Sequence, residues 1–399
     1  MSYTFHFLGL THLPVSERFP GCAFTQKVWK LSKMLTEAGH TVYVYGVEGG
    51  DPVCTEYVKV LDLNDIRDEY GVGDNRFELG YDHTSSFFKH NFDPPYNKAS
   101  QKFFKNAIKE INKRKADDHF LLCSMGANNK PIADEVNLYL TVEPGVGYRG
   151  SYANFKAFES SFIQNYTYGW KYDGKSANGN NYDVVIPNYF DPNDFEFKKE
   201  KQDYFLYIGR MIRRKGILIA IETCRAIGAK LILAGQGGRQ EGNTVYGEDF
   251  SATYDNMEYV GFADKKKRSD LMSNAKATWL ATEYLEPFGG TSIESLFCGT
   301  PVIVSNYGVF PETIAHGVVG YRCQTLDQFV WAAKNIDRIK PETCREYAVK
   351  NFSMEHVNEM FAEWFDMLYY LYESSRDPSK KGWSRITERK DLNWLNRYV

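Results

Sequence analysis

Two carboxylates, Glu286 and Glu294, stand eight positions apart, and the residues between them include the pair Gly289-Gly290. Ala277 to Ala281 before them reads as a short buried strand and Pro301 to Val304 after them as another. The stretch between is then the crossover helix of a parallel βαβ unit, opening near Gly290. On this reading Glu286 lies in the loop at the carboxyl end of a strand and Glu294 in the first turns of the helix. In open α/β sheets that edge is where ligands bind. The glycines let a ligand approach the backbone, and free amides from Gly290 to Ser292 at the positive end of the helix dipole suit a phosphate. Carboxylate oxygens suit vicinal hydroxyls, as on a ribose or a hexose. Phosphate and polyol in one pocket amount to a sugar nucleotide. Each acid taken singly has a plainer explanation, the general preference for acids at helix starts.

A second constellation, Gly209-Arg210-Met211-Ile212-Arg213-Arg214-Lys215-Gly216, follows the apolar run Tyr204 to Ile208. Arg210 and Lys215 therefore fall between the end of a strand and the start of a helix, again on the ligand edge. Departure of a nucleoside diphosphate from a sugar develops negative charge on the β-phosphate, which fixed cations stabilise without a metal. Arg213 and Arg214 are expected to be exposed.

The run Glu286-Pro287-Phe288-Gly289, followed by Glu294 and then Gly299-Thr300-Pro301-Val302-Ile303, resembles the E-x7-E signature of retaining glycosyltransferases with the GT-B fold, in particular their large family four. The resemblance covers nearly the whole chain, strongest from Ile186 to Cys323 and weaker between Val47 and Asn137. It implies an α/β protein of two Rossmann-like domains whose parallel sheets face each other across a cleft, with a carboxyl-terminal helix crossing back to the first domain. The divisions expected are 1–190 for the acceptor side, 191–352 for the nucleotide sugar, and 353–399 for the returning helix and tail. The resemblance further implies that Glu286 meets the donor sugar, Glu294 the ribose, and Phe288, Gly289, Gly290 and Thr291 the rest of the donor. Arg210 and Lys215, after Gly209, would hold the diphosphate, and Gly261 and Phe262 would lie along the nucleobase. Gly21, in Pro20-Gly21-Cys22-Ala23, stands where many members carry a glycine pair facing the cleft. In Thr141-Val142-Glu143, Glu143 takes the strand-end place where the family commonly has a histidine; it either positions the acceptor or takes its proton, or is simply an acid beside a Pro-Gly turn. Tyr148 and Arg149 are further candidates from the same loop. Ser305 to Glu312 resembles the family's G-G-x-x-E loop, with Glu312 read as a helix-start acid.

The elements that must position these groups follow from periodicity. Tyr3 to Leu10 and Thr41 to Gly46 read as strands around a helix from Cys22 to Gly39, a Rossmann-like opening without the G-x-G-x-x-G fingerprint, which disfavours NAD. Tyr57 to Leu61, His119 to Ser124 and Leu138 to Val142 are further strands, Ser100 to Lys115 and Ala153 to Thr167 further helices. Pro187, Pro192 and the charged run Glu196 to Lys201 mark a boundary. Beyond it, Lys230 to Ala234 and Glu258 to Ala263 read as strands, Gln240 to Asn256 as an insertion or long surface loop, and Asp264 as the cap of a helix to Asn274. Leu326 to Ala333, Pro341 to Lys350 and Ser353 to Tyr370 are expected helices, and the aromatic tail from Gly382 to Leu395 is expected to pack on the first domain.

With 399 residues, 43% of them hydrophobic and 25% charged, the chain suits two globular domains. Its 28 Tyr and 27 Phe serve carbohydrate contacts or fill half-buried strand positions. A net charge of -3 supplies no global field toward nucleic acid or membrane. The runs Lys113-Arg114-Lys115 and Lys265-Lys266-Lys267-Arg268 are expected to be solvated helix faces. Seven scattered cysteines without C-x-x-C spacing argue for a reducing, cytoplasmic setting and against a disulfide framework or zinc site. No secretory leader or membrane-spanning window is visible. The expected reaction is retaining transfer from a nucleotide diphosphate sugar, with no cofactor and no metal; acceptor, sugar and base are not specified. Three rivals remain: a glycoside hydrolase, which needs carboxylates on opposite sides of the scissile bond; a non-catalytic nucleotide-sugar-binding protein; and a transferase acting on modified DNA bases, which the net acidity disfavours.

Overall fold

A computed structural model describes residues 2–19, 22–70, 94–171 and 179–377. Gly21 and the aromatic tail lie outside the described residues.

Short runs that are apolar at nearly every position, such as Phe120–Leu122, Leu231–Ala234 and Val302–Ser305, are buried throughout. That is the mark of strands covered on both faces. The first lobe has seven of them: β1 (Thr4–Leu8), β2 (Thr41–Val47), β3 (Glu56–Leu61), β4 (Phe120–Leu122), β5 (Thr141–Val146), β6 (Phe155–Phe158) and β7 (Val184–Val185), all parallel, in the order β3-β2-β1-β4-β5-β6-β7. In the second lobe β8 (Phe205–Ile208) and β9 (Leu231–Ala234) are followed by an antiparallel meander of β10 (Arg239–Glu241), β11 (Thr244–Tyr246) and β12 (Ser251–Thr253). Then come β13 (Met257–Tyr259), β14 (Ala277–Leu280), β15 (Val302–Ser305) and β16 (Gly320–Cys323), completing a parallel sheet in the order β13-β9-β8-β14-β15-β16. Both parallel sheets reverse direction of growth at their centre, beside β1 in one and β8 in the other, and ligands of such sheets sit at that reversal.

Two helices tie the lobes to the site. The helix Ala23–Glu37 buries Val28, Leu31 and Leu35 against the first sheet, which leaves Lys27 and Lys30 free to face away from it. The long helix Met354–Arg376 begins at Ser353, whose hydroxyl accepts from the His356 amide at 3.3 Å. It buries Val357, Phe361, Trp364, Phe365 and Leu368 in the core of the first lobe, the Phe365 ring 4.8 Å from Phe5. The returning helix is therefore present as expected. Where the chain crosses between lobes, the two passages run side by side: Phe190 donates to Phe352 O and the Met354 amide donates to Phe190 O, both at 3.0 Å.

Three expected elements differ. Ala153 to Thr167 is not one helix: Phe155–Phe158 is β6, an interior strand, and the helix runs Ser161–Lys171. Sheet burial of Phe155, Ala157 and Phe158 overrides the weak helical spacing. The strand expected to end at Val142 is Thr141–Val146, continuing through Pro144 with a register shift between Glu143 and Val146. Gln240 to Asn256 forms the meander, where Val245 alone is fully buried and Gly242 takes a positive φ of 56° at the turn.

Candidate active site

Register decides what meets at the centre of the second sheet. Trp279 of β14 lies opposite Tyr207 of β8, so the loops after Ile208 and Leu280 leave the sheet together. The first loop closes with a short turn, Arg213–Lys215, and Gly216 at φ 79°; a Cβ there would lie 1.8 Å from Ala281 O. Only glycine permits that approach. The Glu283 amide donates to Arg214 O at 2.8 Å, which fastens the loops one to the other.

The result is a cation brought to a carboxylate. Lys215 Nζ stands 3.1 Å from Glu286 Oε2. The Tyr284 hydroxyl accepts from the same ammonium and donates to the same carboxylate oxygen. Burial holds the Tyr284 phenol well above its usual range, with the Glu286 charge adding to the shift, so it remains a donor. After Glu286 the chain turns through Gly289 at φ 71° into the helix Gly290–Phe297. One turn in, Glu294 is 8% exposed and its Oε2 lies 3.4 Å from Arg268 Nη1 without accepting a hydrogen bond among the described residues.

These groups line a cavity of about 510 Å³ between the lobes. Of the residues singled out in the sequence, Lys215, Glu286, Phe288, Gly289, Gly290, Thr291, Glu294 and Tyr148 line it together. Others do not. Arg210 is placed 3.6 Å from Glu248 and away from the cavity wall. Gly209 is engaged in the sheet, its amide donating to Ala234 O at 3.0 Å. Gly261 and Phe262 sit beyond β13, outside the lining, as does Arg149, whose guanidinium stacks 4.9 Å from the Trp170 ring.

Glu143 is a correction. It lies in β5 rather than in a loop and is fully buried. Its Oε2 accepts from the Tyr152 and Ala153 amides at 2.8 and 2.9 Å, and its Oε1 from the Tyr148 hydroxyl at 3.1 Å. Burial raises its pKa against the pull of those donors. Its side chain is absent from the cavity wall and instead fixes Tyr148, which is part of that wall.

The basic run at 265–268 is a second correction, for only Lys266 and Lys267 are exposed. Lys265 and Arg268 line the cavity, Lys265 pairing with Glu17 at 2.6 Å and Asp194 at 2.9 Å. Glu312 is a helix-start acid as expected, in the first turn of Phe310–Thr313, and its oxygens also accept from the Ser161 and Phe162 amides of the other lobe at 3.0 and 3.2 Å.

Among the wall residues that sequence reasoning missed are Lys27, Lys30 and Glu159 of the first lobe, and Lys265 and Arg268 of the second. The spacing of Lys27 and Lys30, i and i+3 on a helix whose apolar stripe lies elsewhere, was the one available signal. Lys30 donates to Tyr189 O at 3.1 Å and lies 4.5 Å from the Phe190 ring. Burial lowers its pKa to about 8, partly offset by Glu294.

Comparison with known proteins bears on the fold and on the second lobe. The profile of the family described as glycosyl transferases group 1 matches residues 191–351. A glycosyltransferase of Methanocaldococcus jannaschii is 29% identical over 163 residues, 38% of this chain and 40% of that protein. Glycogen synthase of Mycobacterium tuberculosis is 30% identical over 127 residues, 31% of this chain and 30% of that one. The matched stretches thus span well under half of these curated relatives. Among solved structures, sucrose-phosphate synthase from Thermosynechococcus elongatus superposes with a TM-score of 0.63 at 16% identity, over 92% of this chain and 99% of that one. Anabaena HepE in complex with UDP and glucose gives 0.57 at 13% identity, over 90% and 98%. At such identities the likeness is one of fold, the GT-B arrangement of two Rossmann-like lobes. The chain thus has the GT-B fold, and its residues 191–351 match the glycosyl transferases group 1 family.

Proposed function

We propose that the protein transfers a glycosyl group from a nucleotide diphosphate sugar to a hydroxyl acceptor, with retention at the anomeric carbon. The observation that carries the reading is the convergence of Lys215, Glu286, the helix start at Gly290 and Glu294 on one interlobe cavity. Lys215 and the amides at Gly290 and Thr291 receive the diphosphate, Glu294 the ribose hydroxyls and Glu286 the sugar. The protein's cations stand where a metal would otherwise neutralise the leaving group. Closure of the lobes excludes water and so limits hydrolysis. The divisions at 190/191 and 352/353 belong to this reading, set where the adjacent passages at Phe190 and Ser353 cross between the lobes.

A panel of UDP-, GDP- and ADP-sugars tested by thermal shift is the primary experiment. The matching donor, at about 100 times its Kd, raises stability by roughly 2.7 kcal/mol and Tm by several degrees. A flat response to every sugar nucleotide overturns the reading. Glu294→Ala is expected to weaken nucleotide affinity, and Glu286→Ala chiefly to slow turnover; wild-type behaviour of both variants contradicts the assignment.

Lys30 adds a pH signature. Its ammonium faces Glu294, Arg268, Asp194 and Lys265, and with a pKa near 8 it loses its proton as pH rises past that value. A bound diphosphate favours the charged form, so binding is expected to take up a proton near pH 8 and to weaken above it, by at most about tenfold per pH unit. Calorimetric titration of the nucleoside diphosphate in buffers of different ionisation enthalpy measures that uptake. Lys30→Gln is expected to abolish it.

A further inference from the structure

The first lobe contributes two carboxylates to the cavity wall that no motif marks: Glu17, half exposed and paired with Lys265 of the other lobe, and the buried Glu159. Glu159 stands between β6 and the helix Ser161–Lys171, 4% exposed, paired with Lys27. Lys27 is itself held by Gly145, to whose carbonyl it donates at 3.0 Å. Glu159 differs from Glu143 in its satisfaction: among the described residues no amide or hydroxyl donates to it, and its charge is met by one ammonium alone. Room for it is made by Gly147, where a Cβ would lie 2.4 Å from Glu159 Oε2.

The position of Glu159 relative to the donor loop is fixed by bonds across the cleft. Ser160, the next residue, donates its hydroxyl to Pro287 O at 2.7 Å while accepting from the Ile163 amide at 3.2 Å. Glu312 accepts from the two amides that follow. Separation of the lobes would therefore take Glu312 away from these two helix-start amides. Glu159 and Glu286 are thus the residues flanking a single interlobe hydrogen bond, Ser160 to Pro287. Each carries its own lysine, and both line the same cavity.

We propose that Glu159, supported by Lys27, is the group that binds the acceptor hydroxyl and aims its oxygen at the anomeric carbon. The proposal rests on the transferase reading and names the acceptor-side contact that this reading lacks once Glu143 is placed in the sheet. A carboxylate accepts a hydrogen bond from an alcohol and rejects a group without a proton to donate, so the ligand class is a polyol or other free hydroxyl. In the transfer, the acceptor oxygen bonds to the anomeric carbon as the bond from that carbon to the phosphate oxygen breaks, the electron pair leaving with the diphosphate. The hydroxyl proton passes to the departing phosphate oxygen, and Glu159 ends in the state in which it began.

The test uses the full chain, the sugar nucleotide giving the largest thermal shift, and glycerol and methyl glycosides as acceptors. Glu159→Gln removes the charge while keeping the shape, and Gly147→Ala displaces the carboxylate while keeping the charge. Both are expected to lower kcat/KM for the acceptor roughly 10- to 100-fold, with the donor Kd within twofold of wild type. Wild-type acceptor kinetics in Glu159→Gln overturns the proposal, and so does a loss of donor affinity equal to the loss of transfer, which assigns Glu159 to the donor or to folding. Failure of the wild type to bind any sugar nucleotide instead overturns the transferase reading beneath it.

Discussion

Lys215→Ala is expected to lower kcat/KM for glycosyl transfer by about 10³-fold, the range lost when one preorganised donor to a developing negative charge is removed. The reason is local. The ammonium is held 3.1 Å from Glu286 Oε2 and against the Tyr284 hydroxyl, so it is oriented before any ligand arrives. A leaving diphosphate then finds its counter-charge in place and pays no reorganisation. Because Lys215 and Glu286 touch through Tyr284, their substitutions are not independent: the double variant with Glu286→Ala is expected to lose less than the product of the two single losses. Steady-state kinetics of the three variants measures this. A Lys215→Ala enzyme within fivefold of wild type removes Lys215 from the reaction and leaves the site reading without its central cation. An additive double variant would instead mean that the contact through Tyr284 does not couple the two side chains.

The parts of this site that could be read in the chain are those encoded by neighbours in sequence. The strand, the loop with Glu286, the glycine turn and the helix with Glu294 occupy one continuous stretch, Ala277–Phe297, and each element is announced by its own local signal. Lys215 was legible for the same reason, since a strand, a basic loop and a glycine precede its helix directly. Groups whose role depends on a partner far along the chain were not. Glu312 has the appearance of a helix-start acid, and it is one, but the helix start that it satisfies lies about 150 residues earlier in the other lobe. Lys265 and Arg268 sit in a run that looks solvated; the geometry of the helix that Asp264 caps divides the run, sending two members to solvent and two to the cleft. Glu143 failed through the opposite error. Pro144-Gly145 looks like a turn, whereas the proline lies within a strand that shifts register at that point, so the expected loop acid became an interior one.

Gly216→Ala is expected to be among the most damaging single-methyl changes in the second lobe, costing roughly 3–5 kcal/mol of stability, the sum of overpacking and backbone strain. Gly216 has φ 79°, and the added Cβ would lie 1.8 Å from Ala281 O and 2.2 Å from Ala281 C, backbone atoms that cannot rotate away. Gly261 supplies the control: its φ is 77°, nearly the same, yet a Cβ there meets nothing within 4 Å. Strain alone costs about 1–2 kcal/mol, so Gly261→Ala reports the backbone term and the difference between the two variants reports the contact between loops. That contact is also what sets Lys215 beside Glu286, so Gly216→Ala is expected to lose turnover beyond its loss of folded protein, measured at a temperature where both variants remain folded. Denaturant titration of the two variants decides the matter: equal destabilisation would show that the loops after β8 and β14 do not need to touch, and that some other constraint brings the ammonium to the carboxylate.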